Sequence, residues 1–441
     1  MGKTYRPYLP EQDLLLPPSL QDWLPEGHLA YFVSDLVDAM DLREIESYYE
    51  DEKRGYPPYH PRMMTKILVY GYCVGVFSSR RLQKRLQEDI GFRVLAAGNE
   101  PDFRTLSDFR KIHQRRLQGL FEQVLRMALE LGALKLGRVA IDGSKVKANA
   151  SKHKAMSYKR MQEEQKRLRE EVRRLLAEAE RIDAEEDARY GRNSRGDELP
   201  AELQRRQERL QRIGAAKRAL EERAREEAKA AEQAEWEEKK KEEAAKKAIP
   251  KDTDQYNFTD AESRIMKGAD GFVQGYNAQI AVEPVLQLIV GQYLTQAGND
   301  KKQLLPMIKV VEQQSGQKPS QVLADSGYTS EASITESAAA GIDAYLAVAR
   351  DKHNQQAGPC ARGPLPRAAS GKERMRRKLQ TKAGRVIYAA RKAIVEPVFG
   401  QIKQARGFRQ FLLRGVEKAG GEWALVCTAH NVLKLHRLLC T

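Results

Sequence analysis

Three carboxylates stand out by their settings. Asp142 closes the apolar run Arg138-Val139-Ala140-Ile141 and precedes Gly143-Ser144-Lys145, and Asp325 follows Val322-Leu323-Ala324 and precedes Ser326-Gly327-Tyr328. An apolar run that ends on an acid reads as a strand delivering its carboxylate to the mouth of a sheet. Small residues just after it let ions and a phosphate backbone come close. Glu396 has the opposite surroundings, because from Gly371 to Arg414 thirteen Lys or Arg residues meet two acids, Glu373 and Glu396. Cutting a phosphodiester by in-line attack requires charge to be neutralised on the entering and the leaving oxygen. Two Mg2+ (or Mn2+) ions about 4 Å apart do this, and clustered carboxylates hold them. Each acid alone has a plainer reading: a strand-end Asp before glycine caps a turn, and a Glu among cations makes a surface ion pair. Only the combination points to metal-assisted chemistry on DNA. Asp300, in Gly298-Asn299-Asp300-Lys301, reads first as the N-cap of the helix it precedes, with metal or DNA contact as the alternative. Asp260 and Asp270 lie in loop-like sequence and suggest no chemistry.

The elements that must position these acids alternate in character along the chain. From about Pro57 to His113 the spacing predicts packed helices. One opens at Pro61, has Ile67, Val69, Tyr70, Val74 and Phe77 as its apolar body, and closes at Arg80 to Arg85; a second is capped by Thr105 or Ser107 and carries Phe109, Ile112, Leu117, Leu120 and Phe121. Arg80, Arg81, Lys84, Arg85, Arg110, Lys111, Arg115 and Arg116 offer either phosphate contacts or a solvated helix face. After the strand ending at Asp142, residues 155–250 become rich in Glu, Lys, Arg and Ala. Met161, Leu168, Leu175 and Ile182 recur every seven residues, as do the pairs Leu203/Leu210 and Ile213/Leu220. With breakers between Asp187 and Pro200, an antiparallel helical hairpin is expected, followed after Leu220 by a solvated helix or a disordered stretch. Strand patterns return at Gly271–Val282 and Leu288–Leu294 around a Glu283-Pro284 turn, then a helix over Lys301–Gln314, the strand before Asp325, a helix near Glu331–Ala340 and a strand at Tyr345–Val348. Residues 353–371 read as a flexible Gly/Pro linker, and Trp423–Leu439 as a closing helix.

The chain has 441 residues, too many for one ordinary core, and a formal net charge of +15 with a pI near 9.4. That balance favours a polyanionic partner. The longest uncharged apolar run, Ile67 to Ser79, is shorter than the roughly 20 residues a spanning helix needs. With no secretory-type leader after Met1, a cytoplasmic, nucleoid-associated protein without a membrane is expected. The cysteines, Cys73, Cys360, Cys427 and Cys440, form no CxxC pair, so reduced thiols are expected and Cys427 with His430 lacks the partners for a zinc site.

Several blocks resemble the DDE transposases of bacterial insertion sequences. Tyr59-His60-Pro61-Arg62-Met63 through Arg80-Arg81-Leu82, with Phe103 to Arg110, is similar to their helical N-terminal domain. Ala140 to Lys145 resembles the block of the first catalytic aspartate, Ala324 to Tyr328 the Asp-x-Gly-Tyr block of the second, and Val395 to Gly400 with Lys403 and Arg406-Gly407-Phe408-Arg409 the glutamate block. The resemblance implies an RNase H-like mixed sheet, interrupted by a long coiled-coil-like helical insertion and preceded by an all-α domain. The corresponding boundaries are 1–130 for the DNA-binding or dimerisation domain, 131–150 with 266–441 for the catalytic domain, and 151–265 for the insertion. It further implies double-stranded DNA ends and target DNA as partners and a homo-oligomer, at least a dimer on DNA. A related signature sets Tyr, Arg, Glu and Lys along one helix with two, three and six residues between them; Tyr388, Arg391, Glu396 and Lys403 match its first and last gaps only. On an ideal helix Lys403 lies about 20° and Lys392 about 40° from Glu396, whereas Arg391 is about 140° away. The middle position is therefore open between Arg391 and Lys392, and Pro397 must begin a helix after Glu396 or kink one passing through it. Tyr388, Arg391, Lys392, Lys403, Arg406 and Arg409 are the expected DNA contacts. The rival expectations are a transposase-derived DNA binder without catalysis, an RNase H-like nuclease without strand transfer, and a coiled-coil scaffold.

Overall fold

The computed structural model describes residues 19–50, 57–190, 201–233, 249–268, 271–348, 360, 363–366 and 368–440. Residues 191–200 of the expected breaker, residues 234–248, most of the 353–371 linker and Asp270 lie outside the described residues. The N-terminal part consists of α1 (Leu29–Asp38), α2 (Arg43–Glu50), α3 (Pro61–Cys73), α4 (Ser79–Glu88), α5 (Ile90–Leu95), α6 (Phe103–Ile112) and α7 (Gln114–Glu130). The single helix expected from Pro61 is two, because Gly75 turns the chain at φ +78° and a Cβ there would stand 2.7 Å from the Arg406 carbonyl oxygen. The next start also shifts. Asp102, not Thr105 or Ser107, caps α6 by accepting from the amides of Arg104 at 2.6 Å and Thr105 at 2.9 Å, a carboxylate being the better match to the positive end of a helix. Arg110 is likewise not a phosphate contact. It is 5% exposed and donates to the Phe77 carbonyl at 2.9 Å and to Tyr72, whose hydroxyl donates to buried Glu422.

The sheet contains β1 (Arg138–Lys147), then, beyond two strands of a separate small sheet, β2 (Ala155–Ser157) and β3 (Gln255–Asn257), it takes in β4 (Arg264–Gly268), β5 (Gly271–Val282), β6 (Ile289–Thr295), β7 (Gln321–Ala324) and β8 (Asp343–Leu346). Its order is β6-β5-β1-β7-β8, antiparallel on the β5 and β6 side and parallel through β1, β7 and β8. This is the order expected of an RNase H-like sheet. β4 pairs with the first half of β5, and the Glu283 carboxylate closes the β5–β6 turn by accepting from the amides of Val285, Leu286 and Leu288.

Between β1 and β5 stand α8 (Tyr158–Tyr190) and α9 (Ala201–Gln233), footed on the β2–β3 ribbon. They run antiparallel, since Tyr158 meets Glu221, Glu164 meets Arg209 and Glu171 meets Arg206. Met161, Leu168, Ile213 and Leu220 are buried in their seam, and the stretch after Leu220 continues as helix to Gln233. The remaining helices are α10 (Leu304–Ser315), α11 (Glu331–Ala339), α12 (Gly371–Gln380), α13 (Lys382–Gly400), with a π-helical turn at Gln401–Ala405, and α14 (Val416–Cys440). α14 lies between α3 and α7 on one side and β6 on the other. One apolar core therefore runs without a break from Val33, Ile67 and Leu120 through Trp423 to Val290, Leu323 and Val395.

Candidate active site

Register places the two aspartates side by side. Ile141 of β1 pairs with Ala324 of the parallel strand β7, so Asp142 stands beside Asp325, which directly follows β7. Asp142 is mid-strand and not the strand end expected, because β1 continues to Lys147 by pairing with β5. Their carboxylates are oriented locally: Asp142 Oδ1 accepts from the Gly143 amide and Asp325 Oδ1 from the Gly327 amide, both at 2.8 Å. The Asp142 carboxyl is pushed up to about 6, first by burial, then by the charges of Asp325 and Asp300, with Arg391 opposing them. Asp300 is thus near enough for its charge to act on Asp142, although in the sequence it reads first as a helix cap.

Asp300 does not cap α10. That helix starts at Leu304, its N-cap position is Gln303, and no side chain bonds there. The Asp300 carboxylate instead turns onto the sheet, accepting from Asn277 at 2.6 Å and Gln279 at 2.7 Å and pairing with Lys145 at 3.4 Å. Gln279 in turn accepts from the hydroxyl of buried Tyr328, three residues beyond Asp325. Glycine at 143 makes room for this network, because a Cβ would stand 2.1 Å from Gln279 Nε2 and 3.0 Å from Asp300 Oδ1. The available signal was the polar pair Asn277 and Gln279 on one face of an otherwise apolar strand, which needs a partner when buried. Asp260 is a structural acid, buried and accepting from the Tyr276 hydroxyl at 2.8 Å, away from this cluster.

Glu396 comes from α13, which runs straight through Pro397. The proline has no N–H for the Ala393 carbonyl, and Gln287 Nε2 supplies a hydrogen bond there at 3.0 Å. Arg391 reaches from the same helix to both halves of the site, with Nη1 3.5 Å from Asp142 Oδ2 and Nη2 3.8 Å from Glu396 Oε1. Of the two candidates it is Arg391 that faces the carboxylates: its length covers the angular gap, while Lys392 is exposed. Burial opposes the charge on Arg391, but Asp142, Tyr388 and Asp325 together hold its pKa above the ordinary value. Lys403 lies on the π-helical turn and donates to Ser144 and to the Lys145 carbonyl, so it abuts the strand carrying Asp142. Arg409 is exposed beside it and donates to the Lys403 carbonyl at 3.2 Å. Arg406 turns the other way, to the Val426 carbonyl and His430, which removes it from the DNA-facing set. His430 and Cys427 are buried in that interior contact.

The donors fit a hard divalent cation in kind: carboxylate oxygens, two of them on adjacent strands, crowded enough that Asp142 resists ionising without a counter-charge. Among the described residues no three His, Cys, Asp or Glu side chains converge as a ready metal site, and the Arg391 guanidinium lies between Asp142 and Glu396. Among the same residues, no helix is long and apolar enough to cross a membrane.

Two families match the chain. The one described as Transposase domain (DUF772) matches residues 18–112, and the one described as Transposase DDE domain matches residues 364–436, which include Tyr388, Arg391, Glu396 and Lys403. No curated protein and no solved structure matches. DDE transposases act on DNA and depend on a divalent metal, typically Mg2+. With helices under the first match and the second match on the helix that carries Glu396, the two matches support an insertion-sequence DDE transposase, an enzyme that cuts DNA and transfers its strands.

Proposed function

We propose that Asp142, Asp325 and Glu396 are the catalytic carboxylates of this transposase and the ligands of two Mg2+ or Mn2+ ions. The observation that carries this reading is the single arginine, Arg391, within ion-pair reach of both Asp142 and Glu396 beside a strand end that also presents Asp325. Such ions, when bound, neutralise the charge that develops on the attacking and leaving oxygens. The chain's own residues do the rest. β1 and β7 fix the spacing of the aspartates, α13 carries the glutamate to them, and Lys403 and Arg409 offer cations to the phosphates flanking the scissile bond. Arg391 stabilises the crowded carboxylates and, with Tyr388, faces the same phosphates. Lys392, exposed one turn before Glu396 on α13, is a peripheral phosphate contact.

Joining two element ends requires two active sites, so the working form is at least a dimer on double-stranded DNA. The α8–α9 pair, a coiled-coil-like insertion between the first two strands of the core, supplies contacts between copies or with DNA. Residues 1–130 serve as the DNA-binding or dimerisation region, and action on the chromosome places the protein in the cytoplasm at the nucleoid.

The test uses labelled duplexes copied from the DNA that flanks the gene on each side. With Mg2+ the wild-type chain should cut at the element end and join the new 3′ hydroxyl to target DNA, and Asp142→Asn should do neither while binding the duplex as before. Cleavage without joining would make the protein a nuclease of this fold, and unaltered cleavage by Asp142→Asn would remove that residue from the site.

A further inference from the structure

Beyond Asp142, β1 runs into a cleft of about 920 Å3. Lys145 and Lys147 of β1 form its floor, Lys403 and Arg409 one wall, and Lys267 with Phe272, from the β4–β5 hairpin, the other. The one carboxylate among the described lining residues is Asp300, already paired with Lys145. Lys147 and Lys267 are exposed, with no carboxylate in ion-pair distance among the described residues. Phe272 is 65% exposed. A single apolar ring on a surface is ordinary, but this one lines a groove of cations that opens onto the catalytic strand.

The cations call for a polyanion, and size decides its form. The volume is near the top of the range of about 300–1,000 Å3 for pockets that enclose small ligands, whereas a B-form duplex is far larger, its major groove alone being about 12 Å wide. A few nucleotides of one strand fit, and only an unpaired base offers its face to a phenyl ring. We propose that this cleft binds a short single-stranded DNA segment adjoining the scissile phosphate, with a base stacked on Phe272 and phosphates on Lys147, Lys267 and Arg409. The proposal rests on the catalytic reading in naming DNA as the nucleic acid and in placing the scissile phosphate beside the cleft. It gives β4, which lies outside the five-strand order, and the hairpin it forms with β5 a direct role in holding the strand that is cut.

Binding of the full-length chain is measured in EDTA by fluorescence anisotropy, with a labelled duplex carrying a four-nucleotide 3′ overhang and the same duplex blunt-ended. Phe272→Ala should weaken binding of the overhang duplex about tenfold, the loss of one base stack, and leave the blunt duplex unchanged, and Phe272→Trp should restore it. Replacing Lys147 and Lys267 by Ala should flatten the log–log salt dependence on the overhang by up to about 1.4, two phosphate contacts' worth on a single strand. Undiminished overhang binding by Phe272→Ala, or equal losses on blunt and overhang duplexes, would overturn the proposal, and tighter binding of an RNA overhang would overturn the choice of DNA. Because no cleavage is needed for these readings, loss of the catalytic assignment and loss of the cleft assignment are separate results.

Discussion

The two halves of the proposed active site are held by different physics. The sheet half, Asp142 and Asp325, is fixed by strand register and by a polar network that Gly143 leaves room for, and the Asp142 side chain is 22% exposed. The helix half, Glu396, is 56% exposed and sits beside a proline whose missing hydrogen bond is supplied from another element. A sheet delivers its side chains by a repeating ladder, so neighbouring residues on paired strands are placed at little additional cost. A helix lying across a sheet has no register with it and must be aimed by particular contacts: Ile394, Val395 and Val398 in the core, Arg391 at the aspartates, Lys403 at Ser144, and Gln287 at Ala393. The sheet half is crowded and rigid, and the helix half is adjustable.

The largest effect that would sharpen this contrast comes from neutralising each half in turn. Asp142→Asn and Glu396→Gln should both lower Mg2+-dependent cleavage by on the order of 1,000-fold or more, about 4 kcal/mol of transition-state stabilisation. Their effects on the metal-free fold should differ. The Asp142 carboxyl titrates near 6 in the fold, above its ordinary value, so its charged form is disfavoured there. The resulting penalty sets in as pH rises from about 4 to about 6 and is constant above. At pH 8 without metal, Asp142→Asn should therefore raise the unfolding temperature, whereas Glu396→Gln, half in solvent, should leave it unchanged. Equal shifts in a melting experiment would erase the distinction between the halves.

The same contrast explains what could be read from the sequence. The two neighbouring aspartates and the strand order were legible, because alternation and apolar runs are local signals and the ladder turns them into neighbours. The continuation of β1 past Asp142 through Gly143, Ser144 and Lys145 was not, because it depends on pairing with β5. Asp300 was misread, because a carboxylate ahead of a helix looks like its cap, and only the folded sheet brings Asn277 and Gln279 to it. Lys392 rivalled Arg391 on helical angles, which place a Cβ but not the end of a long guanidinium. Arg110 and Arg406 looked like phosphate contacts because charge is usually solvated; each is instead bound to carbonyl groups inside, which periodicity cannot reveal. The doubling of the first helix at Gly75 depends on the Arg406 carbonyl, over 300 residues away in sequence and so invisible to any local window.

A second measurement probes the support behind the helix half. His430 is buried, its Nε2 donating to the Gln287 carbonyl at 2.9 Å while Arg406 faces Nδ1, and its pKa is pushed down to about 3, first by burial and then by Arg406. The neutral ring belongs to the fold, and the unfolded chain takes up a proton below about 6.5. Stability is thus complete above about 6.5 and is lost as pH falls towards 3, with about 2 kcal/mol gone at pH 5 from this group alone. His430→Gln should flatten that part of the stability–pH curve in urea titrations between pH 7 and 5. An unchanged slope would show that the ring is not the acid-sensitive group beneath Gln287.

The smallest effect, and the most direct test of how α13 is aimed, is the hydrogen bond from Gln287 to the Ala393 carbonyl. In an uninterrupted helix that carbonyl would accept from the amide four residues on, but residue 397 is proline, so without Gln287 it has no partner within the helix. Gln287→Ala should cost about 1 kcal/mol of stability, the net worth of one such bond, and should reduce cleavage by less than tenfold because Arg391 and Lys403 still tie the helix to β1. Pro397→Ala restores an N–H to the Ala393 carbonyl and so removes the need for Gln287. The two changes should therefore be coupled, with Gln287→Ala costing less in the Pro397→Ala background than alone by on the order of 0.5 kcal/mol or more. Strict additivity in this cycle would mean that the proline is compensated elsewhere and that Gln287 does not aim the helix. If the coupling is found in stability and also in the cleavage rate, then the position of Glu396 depends on a turn between two strands of the sheet, and the adjustable half of the site is set from the rigid one.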